Sequence, residues 1–195
     1  YATDYVIDYT YLTTEGVFGV PIAVMASYVF HFVLFGSFLV ASGAGDFFTD
    51  FARALTGRTV GGSAKTAVVS STLMGMLSGS SAANVVTTGS FTIPAMRKSG
   101  YSGKFAAGVE AVASSGGQIT PPIMGAAAFI MMEFIGVDYA TIMGIAVIPA
   151  ILYFFAVFFM VDLEARRLNL KILYEEDIPK LKDVLKRRGY LLISI

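Results

Sequence analysis

Residues 66–96 run for 31 positions without a charged side chain, yet their centre reads Ser78-Gly-Ser-Ser-Ala-Ala-Asn84. A helix rises about 1.5 Å per residue, so one crossing of about 30 Å of hydrocarbon takes roughly 20 residues and two crossings take about 40 plus a turn. The stretch is too long for one span and too short for two. With glycine and serines breaking it in the middle, it is expected to form a re-entrant helical hairpin over 66–96 whose limbs each reach about halfway. A second apolar stretch, 105–136, is interrupted by Ser114-Ser-Gly-Gly-Gln-Ile-Thr-Pro-Pro122. Two adjacent prolines behind two glycines cannot remain regular helix, so this stretch is expected to be a discontinuous transmembrane helix. Its first part should end at Gly116-Gly117, and Thr120-Pro121 reads as a cap followed by proline at the first helical position.

Two further segments are simple spans, 17–41 and 139–161. The chain is 55% apolar and 14% charged, with a mean hydropathy of +0.69, which points to an integral membrane protein rather than a soluble domain or a disordered chain. Fourteen Lys/Arg balance fourteen Asp/Glu, so there is no basic field for nucleic acid. The absence of cysteine excludes a disulfide framework, thiolate catalysis and Cys-ligated zinc.

Basic residues mark cytoplasmic loops. Residues 1–16 hold Asp4, Asp8 and Glu15 and no base, and are expected as an outer, periplasmic lead-in. The 42–65 loop carries Arg53, Arg58 and Lys65, and the next loop carries Arg97, Lys98 and Lys104. With both on the cytoplasmic side, the chain between them must leave and return. Within 42–65, Asp46–Leu55 places Phe47, Phe48, Phe51, Ala52 and Leu55 on one helical face and reads as an interfacial helix. Residues 162–190 hold half of all charges and are expected as a charged cytoplasmic linker. A chain that opens on Tyr1 and closes on the apolar run 190–195 is expected to be a piece of a longer polypeptide, with 191–195 beginning a further span.

Irregular backbone at membrane depth leaves amides unsatisfied at several kcal/mol each, so it persists where it lines protein or a water-filled cavity. Secondary transporters use such breaks to aim helix ends at the midplane, with carbonyls coordinating cations and amides facing anions. Here Ser80, Ser81, Asn84, Ser114, Ser115, Gln118 and Thr120 supply uncharged oxygen donors at two breaks. Such ligands suit a hard monovalent ion such as sodium better than a transition metal. The bland reading is close packing, for which Ser71, Gly75 and Gly79 form a small-residue ridge.

Other residues carry weaker signals. His31, the single histidine, is expected to be a satisfied hydrogen-bonding residue rather than a proton relay. Glu110 lies six residues beyond Lys104; a structural partner for a loop base is the first reading and ion coupling the second. Glu133 and Asp138 are expected at the outer interface in solvent, and the Met and Phe stripes at 124–134 and 153–160 as lipid-facing or packed surface. Gly57-Arg-Thr-Val-Gly-Gly-Ser-Ala-Lys-Thr66 fails as a phosphate loop because Ala64 stands before Lys65 and no strand precedes it. A serine protease built on His31 with Ser81 or Ser115, a channel, and a scaffold subunit without a transport site are the competing classes.

The segments Gly79-Ser-Ser-Ala-Ala-Asn-Val-Val-Thr-Thr-Gly-Ser-Phe-Thr-Ile-Pro-Ala-Met96, Ser99-Gly-Tyr101 and Ala113-Ser-Ser-Gly-Gly-Gln-Ile-Thr-Pro-Pro122 resemble the large membrane subunit of TRAP transporters. The likeness is to the fused-permease type that works with TAXI-class binding proteins. Thr14-Glu-Gly-Val-Phe-Gly-Val-Pro21, Ser42-Gly-Ala-Gly-Asp-Phe47 and Leu163-Glu-Ala-Arg-Arg-Leu168 extend it. The resemblance implies an all-α, ion-transporter-type fold of two inverted repeats, of which this chain matches the first. Each repeat has a hairpin and a broken helix in an elevator-like transport domain. It further implies a multi-pass protein of the bacterial or archaeal inner membrane that is no enzyme and needs no cofactor beyond sodium as coupling ion. Its partners would be a periplasmic TAXI-type solute-binding protein, the rest of the same permease with its small-subunit-like helices, membrane lipid and an organic anion. By the resemblance, Ser80, Ser81 and Asn84 form the hairpin tip, and Ser114, Gly116, Gly117, Gln118, Thr120 and Pro121 the connection in the broken helix. Sodium would lie between them, with Ser81, Asn84 and Gln118 as candidate ligands and Glu110 as a coupling candidate.

Overall fold

The computed structural model describes residues 3–170 and 178–189. The expected further span at 191–195 lies outside them, as does the 171–177 part of the linker. Among the described residues every regular element is helical. Two helices among these residues are long and apolar enough to cross a membrane.

The lead-in contains a helix of its own, α1 (Thr3–Leu12), with no buried residue. The first span begins at Val20 rather than Val17, with Pro21 in its first turn, where the missing N–H has no intrahelical partner to lose. It comprises α2 (Val20–Val24), a π-helical turn (Met25–Val29) and α3 (Phe30–Ala41). Ser42 and Gly43 end it, Gly43 taking φ +90 ahead of α4 (Ala44–Thr56). The amphipathic face expected for α4 is present: Phe47 and Phe48 are buried against Leu39, Met74 and Leu77, and Ala52 is buried as well. Leu55 is 47% exposed and does not belong to that face, which turns instead through Thr56.

The polar cluster at 78–84 separates α5 (Gly62–Ser78) from α6 (Ser81–Lys98), which pack antiparallel as a hairpin. At 17 and 18 residues, the limbs are about 26 Å long, longer than the expected half-crossings. Each limb runs on into its basic loop, with Lys65 at one foot and Arg97 and Lys98 at the other.

Ser102 caps α7 (Gly103–Gly117) by accepting from Phe105 N–H at 3.2 Å. After an irregular segment, α8 (Ala126–Ile135) and α9 (Tyr139–Arg167) follow. Thr120-Pro121 therefore does not start the second part of the broken helix. Thr120 Oγ1 instead donates back to Gly116 O at 2.8 Å, Met124 takes φ +57, and Gly125 is the extended residue ahead of α8. The second span continues past Val161 to Arg167, because Asp162 is held by Lys65 and Arg166 while Glu164 meets Arg167. Short α10 (Leu181–Arg188) packs on α4.

The main apolar core joins the hairpin to α7 and α9 through Ala64, Ala67, Val68, Met96, Val109, Ala113, Val157 and Val161. The Met and Phe stripes are mixed: Met124 and Phe129 are buried, whereas Phe134, Phe155 and Phe159 face outward. Glu133 and Asp138 are exposed, as expected. His31 is exposed too, with Nδ1 at 3.0 Å from Ser27 O one turn back, so its hydrogen-bonding need is met locally.

Candidate functional site

Residues 79–81 and 118–125 fold onto one another. α5 ends at Gly79, whose φ of +61 favours glycine, and a Cβ there would collide with the Met124 carbonyl oxygen. Ser80 then takes extended backbone and its Oγ accepts from Ala83 N–H at 3.3 Å, meeting one of the four orphan amides that begin α6. On the other side, Gly125 N–H closes the irregular segment onto Gln118 O at 2.7 Å. The Tyr139 hydroxyl steadies the same segment from α9, reaching the Pro122 and Ile123 carbonyl oxygens.

The two breaks meet at side chains. Gln118 Nε2 donates to Ser81 Oγ at 3.4 Å, and both residues keep contact with the outside. Asn84, one turn deeper on α6, is 1% exposed and spends both amide hydrogens inward, on Ser71 O at 2.7 Å and Ser114 Oγ at 3.1 Å. Of the expected cluster, Ser81 and Gln118 meet at the tip, Ser80 caps α6 beside them, and Asn84 and Ser114 meet one turn deeper. Gly116 and Gly117 act through their lack of a side chain. A Cβ on Gly75 would stand 2.8 Å from Gly117 Cα, so α5 and α7 cross at bare backbone, and one on Gly116 would enter the Tyr153 and Phe154 rings of α9. Ser115 faces outward and bonds Ala111 O, while Pro121 lies half-buried in the irregular segment.

Below this level lies a group of side chains that motif reading missed. Glu110 is 0% exposed, and no loop base reaches it; among the described residues its carboxylate belongs to no salt bridge, contrary to the first expectation for it. Four hydroxyls surround it instead. Ser71 donates to Oε1 at 2.7 Å, Thr88 and Ser114 (3.3 Å) reach the same oxygen, and Thr92 donates to Oε2 at 2.6 Å. The donors come from α5, α6 and α7 together. Gly89 makes room for the carboxylate stem, since a Cβ there would lie 3.0 Å from Glu110 Cγ. A signal was available in the sequence: Asn84, Thr88 and Thr92 recur every four residues and so form a polar stripe on a buried helix face.

Chemically, the tip offers neutral oxygens and the ends of two interrupted helices, an environment suited to a hard, weakly charged cation rather than to bond-making chemistry. Among the described residues no group of His, Asp and Glu has the arrangement of a multidentate metal site. The small-residue ridge is not an alternative to this polar assembly. Gly75 and Gly79 bring the backbones close, and Ser71, on the same ridge, reaches the Glu110 carboxylate.

Over 91 residues, 47% of this chain, the sequence is 41% identical to the C4-dicarboxylate TRAP transporter large permease protein DctM of Pseudomonas aeruginosa, covering 21% of that protein. The corresponding proteins of Vibrio cholerae and Rhodobacter capsulatus are 42% and 37% identical over the same length, with 20% and 21% of each covered. The aligned part of the chain thus spans about a fifth of the length of these relatives. Residues 2–195 match the family described as the DctM component of the tripartite ATP-independent periplasmic transporter, and the chain belongs to that family of transporter permeases.

Proposed function

We propose that the chain is the first-repeat part of the permease of a TRAP-type secondary active transporter in a prokaryotic inner membrane. In this reading it couples inward sodium movement to uptake of an organic anion of the carboxylate class, handed over by a periplasmic solute-binding protein. The observation that carries it is the meeting of two helix breaks, 79–81 with 118–125, at a cluster of uncharged oxygens. The hairpin 66–96 is re-entrant and the 105–136 helix is discontinuous within the membrane. Sodium lies at the meeting point with Ser81 and Gln118 as ligands, and Asn84 fixes the floor beneath them. The relatives' names favour a four-carbon dicarboxylate as substrate, and the sequence resemblance favours a TAXI-type binding protein as partner. The three packed helices α5, α6 and α7 are the moving body of an elevator.

The test is initial uptake against sodium concentration in the full-length transporter with its binding protein, with membrane insertion verified for each variant. Ser81→Ala, Gln118→Ala and Asn84→Ala should each weaken apparent sodium affinity by about tenfold or more, the worth of one hydrogen bond or ligand to a charged partner. His31→Ala should change it far less, because that side chain only bonds its own helix. Unaltered sodium dependence in all three variants would overturn the assignment. Uptake driven by protons alone would move coupling to Glu110, and a transporter indifferent to every change at the tip would make this part a scaffold.

A further inference from the structure

Building on the reading of the tip as the sodium site, we infer that Glu110 is a positioning residue, whose buried carboxylate sets the geometry of the tip through Ser114 and Asn84. Nothing in a requirement for stability alone calls for it. Three helices packed at glycine crossings could be joined by apolar side chains as well, and replacing a buried charged network with apolar groups of like volume is often neutral or stabilising. A carboxylate instead fixes register atom by atom. It gathers hydroxyls from α5 and α6 that lie 39, 22 and 18 residues away along the chain, besides Ser114 on its own helix.

The route from the carboxylate to the tip is short and continuous. Ser114, one turn beyond Glu110 on α7, donates to Oε1 and thereby turns its oxygen lone pairs toward Asn84 Nδ2, which it accepts at 3.1 Å. Asn84 is anchored a second time at Ser71 O, while the Ser71 hydroxyl is itself held by Glu110. One arm of the Asn84 amide thus ends on the Ser114 hydroxyl that Glu110 orients, and the other on the backbone carbonyl of Ser71, a residue whose side chain Glu110 holds. That fixes which end of the amide carries its hydrogens and leaves Oδ1 with only a long contact, 3.5 Å from Thr88 Oγ1. Asn84 begins the turn above which Ser81 meets Gln118. The charged groups of the packed helices do not compete for this carboxylate: Lys65 on α5 is paired with Asp162 on α9, and Arg97, Lys98 and Lys104 are exposed at the helix feet.

The fold also tolerates removal of the carboxylate, which makes the inference testable. Thr88 Oγ1 has Asn84 O at 2.8 Å as a second acceptor, Thr92 Oγ1 has Thr88 O at 3.0 Å, and Ser71 Oγ lies 3.0 Å from Thr88 Oγ1. Three of the four hydroxyls therefore keep a partner in Glu110→Met. In the full-length transporter with its binding protein, that variant should melt within about 4 °C of wild type. Its apparent KM for sodium should rise about tenfold, or about 1.4 kcal/mol, with a smaller change in maximal rate. Adding Asn84→Ala should then produce no further rise, because coupled residues are non-additive. A single cysteine at position 81 reads the tip without reference to sodium. In Ser81→Cys protein purified in detergent, maleimide labelling should speed up severalfold when Glu110→Met is added. If Glu110→Met does not fold, Glu110→Gln, which keeps one acceptor oxygen, carries the same comparisons. Multiplicative KM effects in the double variant, or unchanged labelling, would overturn the positioning role. A sodium-independent wild type would sink the sodium reading alone, and the labelling arm would still decide the role of Glu110.

Discussion

Tyr101 is 3% exposed and stacks on Phe105 at 5.4 Å between ring centroids, yet among the described residues its hydroxyl meets no hydrogen-bond partner. Burial, with the Asp162 and Glu164 charges adding to it, pushes its pKa up to about 12. A buried unpaired hydroxyl costs stability that a phenyl ring in the same place does not. Tyr101→Phe should therefore melt at or above the wild-type temperature, and a fall of more than about 5 °C would mean that the hydroxyl has a partner that matters. The phenol must stay neutral in the folded protein while the unfolded chain ionises near its ordinary value. Wild type should thus lose stability as pH rises from about 10 toward 12, and Tyr101→Phe should lose less over that window. Glu110 shows how residue roles hide from sequence reading. The nearest base in the chain, Lys104, suggested its partner, whereas the groups that hold it come from α5 and α6 and are brought together only by tertiary packing.

The hairpin break was legible because glycine at a positive φ and a serine able to cap the next helix stand side by side, a local signal that needs no tertiary information. The second break was legible in existence but not in register. Thr120-Pro121 has the composition of a helix start, yet Tyr139 on α9 and the Gln118–Gly125 hydrogen bond hold the chain irregular until Gly125. Limb lengths were underestimated for a related reason, since counting apolar residues alone stops at the first charge, whereas helices run on through Lys65 and Asp162 once these pair. α9 begins more predictably, at Asp138. The Thr141 hydroxyl and backbone N–H both donate to its carboxylate and hold its pKa below the usual carboxylate range. Because the folded value is depressed, this cap contributes stability above the ordinary carboxylate pKa and loses it as pH falls through the lower folded value. Asp138→Ala should melt lower than wild type at neutral pH, and the gap should close in acid. A gap that persists at the lowest pH would show that the cap does not depend on charge.

Across the whole molecule, the antiparallel hairpin brings the Lys65 foot of α5 and the Arg97/Lys98 foot of α6 to the same end, while the tip meets the broken helix at the other. In the proposed topology the feet are cytoplasmic. Residues 1–195 hold no cysteine, so in the intact transporter, with any cysteine elsewhere in it replaced, Thr59→Cys and Ser99→Cys can be placed one at a time and probed with an impermeant maleimide. Both should label from the cytoplasmic side only. Labelling from opposite sides would turn α5 and α6 into something other than a re-entrant hairpin. The ion pair between Lys65 and Asp162 has a mechanical consequence for the same assembly. It rivets the foot of the hairpin to the C-terminal part of α9, with the Lys65 side chain 8% exposed and its ammonium 5.4 Å from the Phe158 ring centroid. Sliding the hairpin past α9 would strip that ammonium of its counter-charge in a place water barely reaches. In the proposed elevator, this ion pair would make α9 travel with α5, α6 and α7.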